Sequence, residues 1–247
     1  MRLALLFLAC TACDVVLHID HFNDPPDAPP CVTGDEDCDG QLDAADICPA
    51  DADQPTADDD GDGVGDACDP DRGMANNHIA LFDGFDDNSR AWSITSGAWQ
   101  LAGGAFTQPA IGDAHVELAV SVKTASVEAI IPQLDTVGTN GSVEVFGSSG
   151  GSPLRCTVVR NQADGTERLQ VHTILAFMET ELTGSGTLRI EGGQRQDGTF
   201  YCRARRGSNF DVVVTAGSLA AQQIDHIGIA TSSASTTVSS ITLFDVP

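Results

Sequence analysis

Ten aspartates between Asp35 and Asp69 fall into two windows of one pattern. Asp35, Asp37, Asp39, Gly40, Asp43 and Asp46 form the first. Asp58, Asp60, Asp62, Gly63, Asp66 and Asp69 repeat it position for position. Hard cations such as Ca²⁺ take about six to eight oxygen ligands, and calcium loops supply them from roughly alternate positions with Gly at the sharp turn. Gln41 and Val64 stand where such a loop offers a backbone carbonyl. A merely solvated acidic run has no need of Gly at the same register twice. Carboxylates crowded into a partly dry loop repel one another. The expectation is therefore Ca²⁺ as a structural cofactor, with the ten aspartates as its ligands.

These residues and their neighbours resemble a known family. Asp-Glu-Asp-Cys-Asp-Gly…Asp-Ile-Cys-Pro and Asp-Asp-Asp-Gly-Asp-Gly-Val-Gly-Asp-Ala-Cys-Asp-Pro are similar to thrombospondin type 3 repeats. The resemblance implies acidic windows wrapped around calcium with little regular secondary structure, stapled by a Cys48–Cys68 disulfide. Cys38 stands at a variable position, with Cys31 as its nearest candidate partner.

Other segments must carry and position this stretch. Met1-Arg2 followed by the apolar Leu3–Ala9 suits a secretory leader and is too short to span a bilayer. Leu8-Ala9-Cys10-Thr11-Ala12-Cys13 resembles the lipobox of bacterial lipoproteins. Cleavage before Cys13 discards Cys10 and leaves an even set of six: Cys31, Cys38, Cys48, Cys68, Cys156 and Cys202. Cys13 is thus favoured over Cys10 for the lipid. Residues 1–13 read as signal peptide and 14–30 as a Pro-rich tether. Residues 31–72 form the calcium-binding repeats, expected to act as a stiff spacer. The protein is expected to be exported and lipid-anchored at the outer membrane or cell surface, otherwise secreted. Disulfides are permitted there.

The formal charge of −24 is concentrated, since residues 31–71 hold fifteen acids and no Lys or Arg. Nucleic acid and anionic membrane surfaces are poor partners for such a chain, and the lipid would be its only hold on a membrane.

From His78 the texture changes to short alternating runs broken by Gly, Asn, Asp and Ser. Val116, Leu118, Val120 and Val122 alternate with Glu117, Ala119, Ser121 and Lys123, as a half-buried strand does. About a dozen such runs without helical period predict an all-β sandwich over 78–247. Cys156 and Cys202 sit mid-strand and are expected to be bridged rather than free.

Phe82-Asp83-Gly84-Phe85-Asp86-Asp87…Trp92…Trp99 and the closing Ile241-Thr242-Leu243-Phe244-Asp245-Val246 resemble the first and last strands of concanavalin-A-like or laminin-G-like jelly rolls. Members of that class include sugar-binding modules, adhesion modules and glycosidases. The Glu-x-Asp-x-x-Glu run of jelly-roll glycosidases is absent from this sequence. Gly147-Ser148-Ser149-Gly150-Gly151 matches a nucleophile elbow only on paper, because it joins β-runs. The six histidines show no zinc spacing.

Tyr201, Arg203 and Arg205 share one strand face and form a candidate ligand face for a polysaccharide or surface glycoprotein. The expected function is non-enzymatic: a calcium-binding lipoprotein whose sandwich mediates adhesion or carbohydrate binding. A carbohydrate-active enzyme with an unrecognised site and a ligand-free envelope protein are the alternatives.

Overall fold

The computed structural model describes residues 32–52, 57–87, 89–138, 140–149, 152–173, 176–207, 211–218 and 220–246. The expected leader with Cys10 and Cys13, the expected Pro-rich tether and Cys31 lie outside the described residues.

Among the described residues there is no helix. The strands, in chain order, are β1 (His78–Asp83), β2 (Ser93–Ser96), β3 (Gln100–Leu101), β4 (Phe106–Lys123) and β5 (Ala125–Ile131). Then come β6 (Gln133–Thr136), β7 (Gly141–Ser149), β8 (Ser152–Arg160), β9 (Glu167–His172) and β10 (Phe177–Leu182). The last are β11 (Leu188–Gln194), β12 (Thr199–Arg206), β13 (Val212–Ser218), β14 (Gln223–Val238) and β15 (Ser240–Asp245). Asp164-Gly165 and Asp197-Gly198 fall in turns, as Asp-Gly pairs favour.

Two antiparallel sheets result. One has six strands in the order β1-β15-β5-β11-β12-β13. The other has nine, running β10-β9-β8-β7-β14-β4-β2, with β3 on β4 and β6 on β14. This is the expected all-β jelly-roll sandwich, with the closing strand β15 beside β1.

Alternation explains the core. Val116 and Leu118, Val143 and Val145, Val158, Ile227 and Ile229 point inward from the larger sheet. Val127, Ala129, Ile190, Ala204, Ile241 and Leu243 meet them from the smaller one. Trp99 is buried, and Trp92 packs beside Phe85 and Phe106 while its indole N–H donates to Asp83. Both tryptophans serve packing. The disulfide Cys156–Cys202 ties β8 to β12, hence one sheet to the other. A Cβ on Gly192 would lie 2.4 Å from that of Cys156, so the bridge demands glycine opposite it. In the loop-entropy picture this crosslink contributes about 4 kcal/mol.

The acidic segment lacks strands among its described residues, and the Cys48–Cys68 disulfide staples it. Cys38 is also disulfide-bonded. The segment does not stand off as a spacer, however. Residues 31–247 form one compact unit. Cys48, Val64 and Cys68 pack with Phe244 and Val246 in a small second core, with Ile79 and Ala67 against it. An apolar staple with nowhere else to hide is buried against the sandwich.

Candidate functional site

The two aspartate windows fold alike, down to individual hydrogen bonds. Gly40 and Gly63 adopt φ of 94° and 93°, a region open to glycine. Asp35 accepts from the Gly40 amide (3.2 Å), and Asp58 from that of Gly63 (3.0 Å). Asp43 takes the Glu36 amide and Asp66 the Asp59 amide. Asp39 and Asp62 accept from Gln41 and Val64. Asp46 and Asp69 cap Cys48 and Asp71.

Within each window the first three aspartates also converge. Carboxylate oxygens of Asp35, Asp37 and Asp39 lie within 4.8 Å of one another, as do those of Asp58, Asp60 and Asp62. Asp43, Asp46, Asp66 and Asp69 are not in these trios; their described bonds brace the loops.

Several oxygens of the windows lack any donor. Asp35 Oδ1, Asp37 Oδ2, Asp46 Oδ2 and both oxygens of Asp60 are buried without a hydrogen-bond partner. Buried unsatisfied acceptors are costly and rare. Burial and neighbouring carboxylates push Asp37 up to about 6. Glu36 is pushed up to about 8, by burial first and then by Asp86 and Asp43. Oxygen-only donors with unspent negative charge fit a hard divalent cation.

The expected ligand face is largely covered, with Arg205 keeping 31% of its side chain exposed. Tyr201 is only 1% exposed, and its hydroxyl lies within hydrogen-bond reach of Glu191 and of the Ser126 hydroxyl, which itself donates to Glu191. Arg203 pairs with the buried Glu191 and donates to the Asp69 carbonyl. Arg205 reaches Asp51 at 3.2 Å. Arg189 bonds Glu128 through two nitrogens and Asp51 at 2.8 Å. The acidic segment therefore covers this face and supplies anions to its arginines.

The open face belongs to the larger sheet. Pairing aligns Ser93, Glu117, Gly228, Phe146, Arg155, His172 and Phe177 in one row across seven strands. The adjacent row runs Ser96, His115, Ala230, Glu144, Thr157, Gln170 and Glu179. The alternation that sends Val116 and Val145 inward sends these side chains outward.

A cleft of about 410 Å³ opens over His115, Glu117, Glu144, Phe146 and Arg155. The Phe146 ring lies over Gly228, and His115 meets it edge-on at 4.7 Å. Glu144 accepts from Arg155 (3.0 Å) and Thr157 (3.2 Å). Further along, His172 packs against the exposed Phe177, ring centroids 4.7 Å apart and planes tilted by 58°. Burial raises the Glu144 pKa against the pull of Arg155. It lowers those of His115 and His172; the Arg155 charge adds to both, while Glu117 opposes it at His115. The cleft therefore offers aromatic edges, carboxylate acceptors and a guanidinium donor side by side. Sequence reading missed it because its members come from separate strands, and only pairing unites them.

No family model and no curated protein matches the sequence. Solved structures share its fold. The CBM2 module of the evolved Dit of Lactobacillus casei BL23 phage J-1 is 9% identical, covering 69% of this chain and 96% of that one at TM-score 0.52. The fold is the lectin-like jelly roll. Winged bean acidic lectin, complexed with methyl-α-D-galactose, is 8% identical over 68% of this chain and 98% of its own, at 0.50. A Bacillus licheniformis β-glucanase is 8% identical over 66% and 96%, also at 0.50. At such identities the likeness concerns the fold.

Proposed function

We propose that this chain is a calcium-stabilised, exported glycan-binding protein without catalytic activity of its own. The observation that carries the reading is the outward row through Glu117, Phe146, Arg155, His172 and Phe177, with its cleft of about 410 Å³. Sugars are held by aromatic or apolar faces together with a few placed polar groups, and the cleft has both. Strands lie about 4.8 Å apart, so an extended oligosaccharide crossing the strands meets a new side chain at each one.

Asp113, Glu117 and Glu144 line the cleft against one arginine, in a chain of net charge −24. A neutral polysaccharide or surface glycoprotein glycan suits that balance better than an anionic one. The names of the structural neighbours, a carbohydrate-binding module, a lectin and a glucanase, support the class.

Calcium would be held by Asp35, Asp37 and Asp39 with Asp43 and Asp46, and by Asp58, Asp60 and Asp62 with Asp66 and Asp69. Bound there, it cancels charge and satisfies the orphaned oxygens. The chain's own part is to present those oxygens and to cap its arginine face with Asp51. Lipid attachment at Cys13 belongs to the same reading. Mass spectrometry of the mature N-terminus tests it: a diacylated Cys13 is expected, and an unmodified terminus contradicts it.

A glycoside hydrolase is the second reading, favoured by Glu117 and Glu144 on the two strands flanking β14, the latter with a raised pKa. Incubating the full chain with β-glucan, xylan and galactan separates the two. Retention without release of reducing sugar supports binding alone; turnover lost in Glu144→Gln supports the hydrolase.

A further inference from the structure

Asn77 lies outside both aspartate windows, at the last position before β1. Only 1% of its surface is exposed. Its backbone N–H donates to Asp62 Oδ2 at 2.8 Å, and its side-chain Nδ2 donates to Asp69 Oδ1 at 2.9 Å. Those carboxylates belong to the second window.

The donor half of the carboxamide is thus spent on the window. The acceptor half is not: Oδ1 is buried without a hydrogen-bond partner. In the same window both oxygens of Asp60 are buried and unpartnered as well. Buried acceptors without donors are costly, and a divalent cation held by the second window would satisfy them.

We infer that Asn77 completes the second cation site, supplying its carboxamide oxygen as a ligand to a divalent metal. The inference rests on the calcium reading and adds a ligand from outside the repeated pattern. An amide suits the place. It brings oxygen without further negative charge, and its NH₂ orients Asp69, as outer partners orient metal ligands. At the same place after the first window the sequence has Gln54, also a carboxamide, outside the described residues. Because β1 starts at the next residue, the metal would fasten the window directly to the sandwich.

Calorimetric titration of the full chain with Ca²⁺ tests this, in a background carrying Asp35→Ala to weaken the first window. Asn77→Ala is expected to weaken binding by about 10-fold or more. Asn77→Asp returns an oxygen but not the NH₂, and is expected to bind at least as tightly as the unsubstituted residue. If Asn77 were only a bridge between Asp62 and Asp69, Asn77→Asp would add repulsion and bind no better than Asn77→Ala; that result overturns the inference, as does equal affinity in all three. Should Asn77→Ala fail to fold, Asn77→Asp against the parent decides alone: weaker binding by about 10-fold overturns the ligand role. No binding in the unsubstituted chain would instead remove the calcium reading beneath it.

Discussion

At Gly228 the missing side chain is what leaves room for the Phe146 ring that lines the cleft. A Cβ there would sit 2.2 Å from the Val116 carbonyl and 2.5 Å from the Phe146 ring. Gly228→Ala is expected to cost about 1–3 kcal/mol in urea unfolding and to displace Phe146, weakening glycan retention. Unchanged stability and retention would contradict the packing described. Arg155→Ala separates binding from folding, because its side chain is 49% exposed and the Glu144 it leaves behind keeps its hydrogen bond from Thr157. Stability should change by less than about 1 kcal/mol.

The imidazoles give a pH signature. His115 and His172 have folded pKa values below their ordinary one, so the unfolded chain binds protons first as pH falls. Their stabilising contribution is present above about pH 6.5 and is lost as pH drops through that value toward the lower folded pKa. A ligand covering the imidazoles opposes protonation further. Retention should therefore be weaker at pH 5 than at pH 7.5; stronger retention at pH 5 would place the ligand elsewhere. Single residues such as these were legible in the sequence only as outward positions of alternating strands. Nothing local distinguishes Glu117 in the cleft from Lys123 beyond it.

Among the elements, β5, β11 and β12 differ from the usual exposed sheet because both of their faces are covered. Glu128 and Glu191 are each 1% exposed on the face away from the core. Arg189→Met should leave Glu128 buried without its cation and cost about 3–5 kcal/mol, measured by urea unfolding. A cost below about 1 kcal/mol would mean that the face is open to water. Alternation in the sequence did place Tyr201, Arg203 and Arg205 together on one face. It could not say what lay above them, because Asp51 comes from a segment far away in sequence. β4 and β14 continue through irregular pairing, with register shifts near Thr231 and Ala234, where the side-chain alternation breaks.

For the molecule as a whole, the uneven charge acquires a purpose. An acidic segment without basic residues meets the arginine-bearing face of a sandwich and closes over it. The windows were fully legible, since spacing and glycine register are local. The docking was not, because it depends on long-range contacts such as Phe244 against Cys48 and Cys68.

If calcium orders the windows, each site adds about 0.4–1.4 kcal/mol at 1 mM Ca²⁺ for affinities of about 10⁻⁴–10⁻³ M. Chelation should then speed hydrogen exchange in the segment and at Ile79, Phe244 and Val246. Unchanged exchange there would refute the structural role of the metal. Glycan retention should survive chelation better than the segment does, because the cleft lies on the opposite sheet.

Electrophoresis of the full chain through gels containing β-glucan, xylan or galactan puts the proposed glycan-binding face to the most direct trial. The unsubstituted protein should be retarded in at least one gel, Arg155→Ala should run freely, and Arg205→Ala should be retarded like the parent. Free migration of the parent in all three, or retardation lost in Arg205→Ala but kept in Arg155→Ala, would contradict the assignment of the outer face of the nine-stranded sheet.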